Sequence, residues 1–158
     1  MTPIEAIEAS AFGQAMRGSP WLFPAVETVH LVGIAILVGS IAMLDLRLLG
    51  FSRALPVRRL AAHVLPWTAA SFLLIVPSGL AMFLAHARDL VSSPVFAAKI
   101  CLILAAGANA GIFHAGVFRH AAQWDTDVMP PVGARLAAVI SLALWVSVIA
   151  CGRSLLHA

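Results

Sequence analysis

Apolar residues along this chain gather into four long blocks separated by short polar segments, and each block is long enough to cross a membrane. The blocks cover about 21–49, 60–84, 94–118 and 136–150, and the first holds an uncharged stretch over 28–44. Crossing about 30 Å of hydrocarbon takes roughly 20 helical residues. The second block contains Pro66 and Pro77, which would damage a helix in water but are tolerated in lipid, where neighbouring groups satisfy the freed carbonyls. The connecting segments carry the turn formers Pro56, Ser92, Ser93, Pro130, Pro131 and Gly133. Helices joined by short loops pack as antiparallel neighbours, and no internal repeat divides the chain. The pattern predicts one all-α domain over 1–158, an integral membrane antiparallel four-helix bundle.

The first 17 residues follow a different rule. Thr2-Pro3-Ile4-Glu5 reads as an N-cap, a proline at the first helical position and an acid at the third. Ile4, Ile7, Ala11 and Ala15 then share a stripe opposite Glu5 and Glu8, so 1–17 is predicted as a short amphipathic helix on the membrane surface. Arg17-Gly18-Ser19-Pro20 ends it. Glu5 and Glu8 stand where a cleavable signal would carry basic residues and then an apolar core, so no signal peptide is expected.

Composition sharpens the class. Of 158 residues, 61% are hydrophobic and 11% charged, with a mean hydropathy of +0.98. A domain this small cannot hide that much apolar surface in its own interior, so the remainder must face lipid. Intrinsic disorder, a disulfide-stapled module and nucleic-acid binding are excluded, the last because the net charge of +3 is spread without any basic run longer than two residues. The basic residues speak to topology instead. Arg47, Arg53, Arg58, Arg59, Arg119 and Arg135 lie at one set of helix ends, against Arg17, Arg88, Lys99 and Arg153 at the other. The positive-inside rule then places both termini outside, in the periplasm if the membrane is a bacterial inner membrane.

Ionisable groups within apolar helices are expensive, and each marks a candidate site. Glu27 and His30 share a face of the first helix, Asp45 and Arg47 lie near its inner end, and the third helix holds Lys99 and His114. His63 falls at the inner start of the second helix and His86 at its outer end. Neutral imidazole is the usual protein ligand for haem iron. At 1.5 Å per residue, His30 and His114 differ by about 15 Å in depth and cannot clamp one iron, whereas His63 and His114 fall at similar depth. Gly107, Ala110 and Gly111 beside His114 form a small-residue face with room for a flat macrocycle. Arg58, Arg59, Arg119 and Arg135 on one side, and Lys99 and Arg153 on the other, could meet its carboxylates. Such faces also serve ordinary helix packing in membranes. His86, His120 and His157 sit near interfaces and are read as solvated bystanders. Glu27 either orients a ligating histidine or neutralises Lys99 or Arg153. Cys101 and Cys151 make no spacing motif and read as packing residues, and without Cys-x-x-Cys-His covalent haem attachment is excluded. The five methionines are scattered, which gives copper handling little direct support.

The segment from Trp21 through Glu27, His30 and Gly33, with Asp45-Leu-Arg47, Leu65-Pro-Trp67, Lys99, Phe113-His114 and Cys151-Gly-Arg153, resembles a family of uncharacterised bacterial four-helix membrane proteins over nearly the whole chain. More distantly, His30-Leu-Val-Gly33, Gly39, Leu46-Arg47-Leu48, Ser78-Gly79 and the Lys99-to-His114 interval look like the b-haem protoporphyrinogen oxidases of the HemJ type. The first helix is also similar to CopD-like copper-resistance membrane domains. The oxidase resemblance implies haem binding at His30.

The leading expectation is a small membrane b-type cytochrome. It would hold one or two non-covalent haem b groups through His30, His114 and His63, with Glu27, Lys99 and Arg153 around them, and exchange electrons with a quinone or a periplasmic redox protein. Metal-ion handling along Glu27, His30, Asp45 and Lys99 is the alternative. A structural subunit of a homo-oligomer or larger membrane complex is a third.

Overall fold

The computed structural model describes residues 3–155; the expected cap at Thr2, the side chain of Ile7 and His157 lie outside the described residues. Every element among these residues is helical: α1 (Pro3–Glu8), α2 (Ala11–Gly18), α3 (Leu22–Leu48), α4 (Val57–Ala85), α5 (Ala87–Ser92), α6 (Pro94–Ala115), a 3-10 segment (Val117–Gln123) and α7 (Val132–Leu155). Helices α3, α4, α6 and α7 have 27, 29, 22 and 24 residues, with mean hydropathies of 1.8–2.1 over their most apolar stretches. All four are long and apolar enough to span a bilayer.

Local chemistry sets the boundaries. Pro94 begins α6 at a position where its missing N–H costs nothing, and the Ser93 hydroxyl accepts from the Phe96 N–H at 3.4 Å. Gly50, at φ +102°, ends the chain's run out of α3 in a conformation that favours glycine. Pro66 and Pro77 both lie inside α4 without ending it.

The helices form two antiparallel pairs, α3/α4 and α6/α7, joined along α3 and α7. In the resulting row α4–α3–α7–α6, α6 approaches neither α3 nor α4 within 8 Å between Cα atoms. The seam between α4 and α6 is therefore bridged by side chains alone, Phe83 stacking on Phe96 at 5.9 Å near the terminal end and Val64 and Phe113 sharing the loop-end core. Its accessible surface is 9252 Å², against roughly 7,600 Å² for a water-soluble monomer of this mass. Leu31, Leu73, Leu104, Ile112 and Val146 stand outward on four different helices. Such an apolar exterior needs lipid around it.

The two ends are closed differently. At the end where the chain termini lie, the predicted single surface helix is instead the pair α1 and α2, packed onto the bundle. Met16 is fully buried there, and Arg17 donates 2.7 Å bonds to the carbonyls of Ala85 and Glu8. The Glu8 carboxylate accepts from the Arg88 N–H at 2.8 Å. These polar anchors dock the amphipathic segment on the ends of the helices.

At the opposite, loop end, Leu44, Leu48, Val57, Val64, Phe113 and Trp124 form the core. Trp124 is buried in it at 6% exposure, whereas Trp21 is 81% exposed at the other end, where a residue of an interfacial aromatic belt belongs. Arg47 is buried and holds the two loops together. Its Nε donates to Leu55 O at 2.7 Å, and its Nη2 donates to Arg53 O at 3.1 Å and Asp125 O at 3.0 Å. A guanidinium can serve three carbonyls because its donors spread in a fixed plane.

Candidate functional site

His30 sits eight residues into α3 and is 9% exposed. Two glycines bring α4 against it. A Cβ at Gly33 would come within 2.7 Å of Ile75 Cγ1, and one at Gly79 would come within 3.1 Å of the His30 ring at Cε1. The turn of α4 that receives the ring is loosened by Pro77, which supplies no N–H to it. Side chains take up the carbonyls of that turn: the Ser78 hydroxyl donates to Leu74 O, and His30 Nδ1 lies 3.1 Å from Ile75 O and 2.9 Å from Ser78 Oγ.

This geometry settles the tautomer. A backbone carbonyl can only accept, so Nδ1 carries the hydrogen and shares it between Ile75 O and Ser78 Oγ. In the neutral ring the lone pair is then on Nε2. Both hydrogen bonds of the ring fall on Nδ1. Nε2 is left as an oriented donor atom without a hydrogen-bond partner, the arrangement in which ligating histidines are held by their outer shell.

The other predicted residues are more dispersed. Lys99, half-buried on α6, lies within electrostatic reach of His30. It packs beside Gly152 of α7, with Nζ 3.6 Å from the place of a Cβ there. Glu27 is half-buried one turn before His30 and Arg153 is exposed; neither is tied to a partner among the described residues. The groups that orient the histidine are thus Ile75 and Ser78, not Glu27. The sequence did carry a signal for this: Ser78-Gly79 sets a hydroxyl beside a missing side chain in the turn that follows Ile75.

His114 stands near the far end of α6, roughly 18 Å from His30 in depth at 1.5 Å per residue, and its ring meets Phe113 and Phe118 edge-on at 5.2 and 4.9 Å. The structure does not bring His63 to it. Ala61, Val64 and Thr68 form the inward stripe of α4, and His63 lies off that stripe and exposed. His86 is edge-on to Phe23 at 5.4 Å and His120 is exposed. Among the described residues no three His, Cys, Asp or Glu side chains come together as a metal site.

A cavity of about 230 Å³ lies in the loop-end half, between the two helix pairs. Its walls are mostly apolar, with Asp45, Thr68, Asn109, His114 and Ser141 as the polar members. His30 is not among its lining residues, so the two deepest histidines serve different places. Asp45 is 5% exposed, has Ser141 as its hydrogen-bonding neighbour, and leaves Oδ2 without a partner. Asn109 donates to Ala137 O at 2.9 Å across the α6–α7 contact.

Fold and site together define a membrane-spanning four-helix protein with a buried histidine of fixed tautomer and a separate polar-tipped cavity. The chain belongs to DUF6644, a family of unknown function, whose model matches residues 6–157. No curated protein and no solved structure matches it.

Proposed function

We propose that this protein is a small membrane b-type cytochrome that holds one haem non-covalently through His30 and passes electrons between a membrane quinol or periplasmic donor and an acceptor. It would sit in a bacterial inner membrane with both termini in the periplasm, in keeping with the arginine bias. The observation that carries the reading is the state of His30. An imidazole whose Nδ1–H is bonded to Ile75 O and Ser78 Oγ, buried, with Nε2 uncommitted, is prepared to donate a lone pair to iron.

Lys99 and Arg153, at the same end of the bundle as His30, are the cations we assign to the carboxylates of a porphyrin. The space beside His114, about 230 Å³, falls short of the roughly 300–1,000 Å³ of clefts that take drug-sized molecules, so the proposal rests on one haem at His30. One-electron redox chemistry is what the haem supplies when bound. The chain's part is to fix the ligand's tautomer, exclude water from it and hold it in a low-polarity setting, which tunes potential.

The test is an absorption spectrum of the detergent-purified protein, oxidised and dithionite-reduced, after growth with a haem precursor. A Soret band that shifts on reduction and is lost in His30→Ala supports the reading. A colourless protein, or an unchanged spectrum in His30→Ala, overturns it.

A further inference from the structure

We infer that the loop-end cavity is a binding site for the head of a hydroquinone-type lipid, a single aromatic ring bearing hydroxyl groups. Asp45 argues for a ligand. It is a carboxylate 95% buried in a membrane interior; the residue lines the cavity, and its buried Oδ2 has no hydrogen-bond partner. An unsatisfied buried acceptor of this kind is costly, and a hydroxyl entering the cavity relieves it.

Size and wall chemistry narrow the class. A dry cavity of about 150 Å³ accepts benzene, so about 230 Å³ holds one substituted ring and not a fused macrocycle. Phe72, Phe113 and Trp145 supply flat apolar walls. The His114 ring lines the same cavity between Phe113 and Phe118, so its nitrogens can meet a second oxygen while Asp45 meets the first. Ser141 stands beside Asp45 on the α7 side of the same cavity.

Access decides the source. The α4 and α6 walls of the cavity do not approach within 8 Å between Cα atoms. Gly107 lines the cavity with nothing within 4 Å of where its Cβ would be. Leu65, Phe72 and Gly107 line the cavity and are exposed on the outside of the bundle, so the ring enters from the bilayer and a hydrocarbon tail leaves the same way. The inference stands apart from the haem reading, because it uses a different cavity and concerns binding alone.

The experiment is anaerobic calorimetric titration of the full-length protein in nanodiscs with a short-tailed benzohydroquinone, its dimethyl ether and the corresponding benzoquinone. The hydroquinone should bind, and the ether, which keeps the shape but lacks the donor, should bind roughly ten- to a hundredfold more weakly, the weight of one hydrogen bond to a charged group. Asp45→Asn should erase that preference. Gly107→Leu, which fills open space and improves helix propensity, should abolish binding while the protein remains folded. Equal binding of hydroquinone and ether, unchanged selectivity in Asp45→Asn, or unaltered binding in Gly107→Leu overturns the inference. Colourless protein that binds hydroquinone refutes only the cytochrome reading, and red protein that binds none refutes only this one.

Discussion

Replacing Ser78 by alanine tests the outer shell of His30 without touching the ligand. The wild-type Nδ1–H is shared between Ser78 Oγ at 2.9 Å and Ile75 O at 3.1 Å. The substitution removes the nearer acceptor and keeps the carbonyl. Loss of an outer-shell partner costs roughly 10- to 100-fold in affinity at ligating histidines, equivalent to about 1.4–2.8 kcal/mol. The effect on folding should be smaller. The hydroxyl also donates to Leu74 O, but hydrogen bonds between membrane helices average only about 0.6 kcal/mol. Ser78→Ala should therefore weaken haem retention by one to two orders of magnitude while moving the unfolding midpoint by only a few degrees. The midpoint potential should rise, because an Nδ1–H with fewer acceptors makes the imidazole a poorer electron donor and favours the reduced iron. Ser71→Ala is the matched control: Ser71 is also buried in α4, with its hydroxyl on Thr68 O at 2.6 Å and no contact with His30. Haem titration and potentiometry on both variants decide the matter. Equal behaviour of Ser71→Ala and Ser78→Ala would show that the hydroxyl at 78 does not hold the ligand.

Two further substitutions probe the scaffold. Arg47→Met removes three hydrogen bonds, leaving Leu55 O without this donor while Arg53 O and Asp125 O keep the Asp127 and Val57 N–H groups; at about 1 kcal/mol each the loss is roughly 2–4 kcal/mol, a fall of about 5–15 °C in Tm for a chain of this length, and a thermal scan in detergent that moves by less than two degrees would refute the loop-clamp role. Gly33→Ala and Gly39→Ala should have opposite signs. The first forces a Cβ to within 2.7 Å of Ile75 Cγ1 and should destabilise by about 1–3 kcal/mol, while the second faces open space and should gain up to about 1 kcal/mol from helix propensity; equal shifts for the pair would contradict the close approach of α3 and α4.

The sequence was legible where one residue's cost could be judged alone. Four blocks of lipid-compatible length gave the four spans to within a few residues, because length and apolarity are local properties. His30 stood out for the same reason: a polar ring in the middle of an uncharged helix is expensive wherever that helix packs. The N-terminal segment was read half correctly. Its amphipathic stripe was visible, but the break between α1 and α2, and the docking of Arg17 on the end of α4, depend on carbonyls 68 residues away in the chain.

What stayed hidden is relational. Membrane helices that are apolar on every face carry no stripe to say which neighbour they meet, so His63 and His114 could be matched by depth but not by direction. The inward stripe of α4 passes through Ala61 and Val64, and His63 falls beside it by one step of the helical wheel. The same uniformity hid the seam between α4 and α6, and with it the meaning of Asp45. Beside Arg47 in sequence, the carboxylate invites an ion pair, yet residues two apart on a helix do not face each other. The guanidinium turns to loop carbonyls and the carboxylate to Ser141 and the cavity. Two opposite charges in one buried turn thus serve different ends, one closing the loops and the other lining the cavity, and each keeps one buried atom without a partner, Arg47 Nη1 and Asp45 Oδ2. If the two had paired, the cavity would have lost its polar tip and the reason to expect a guest there.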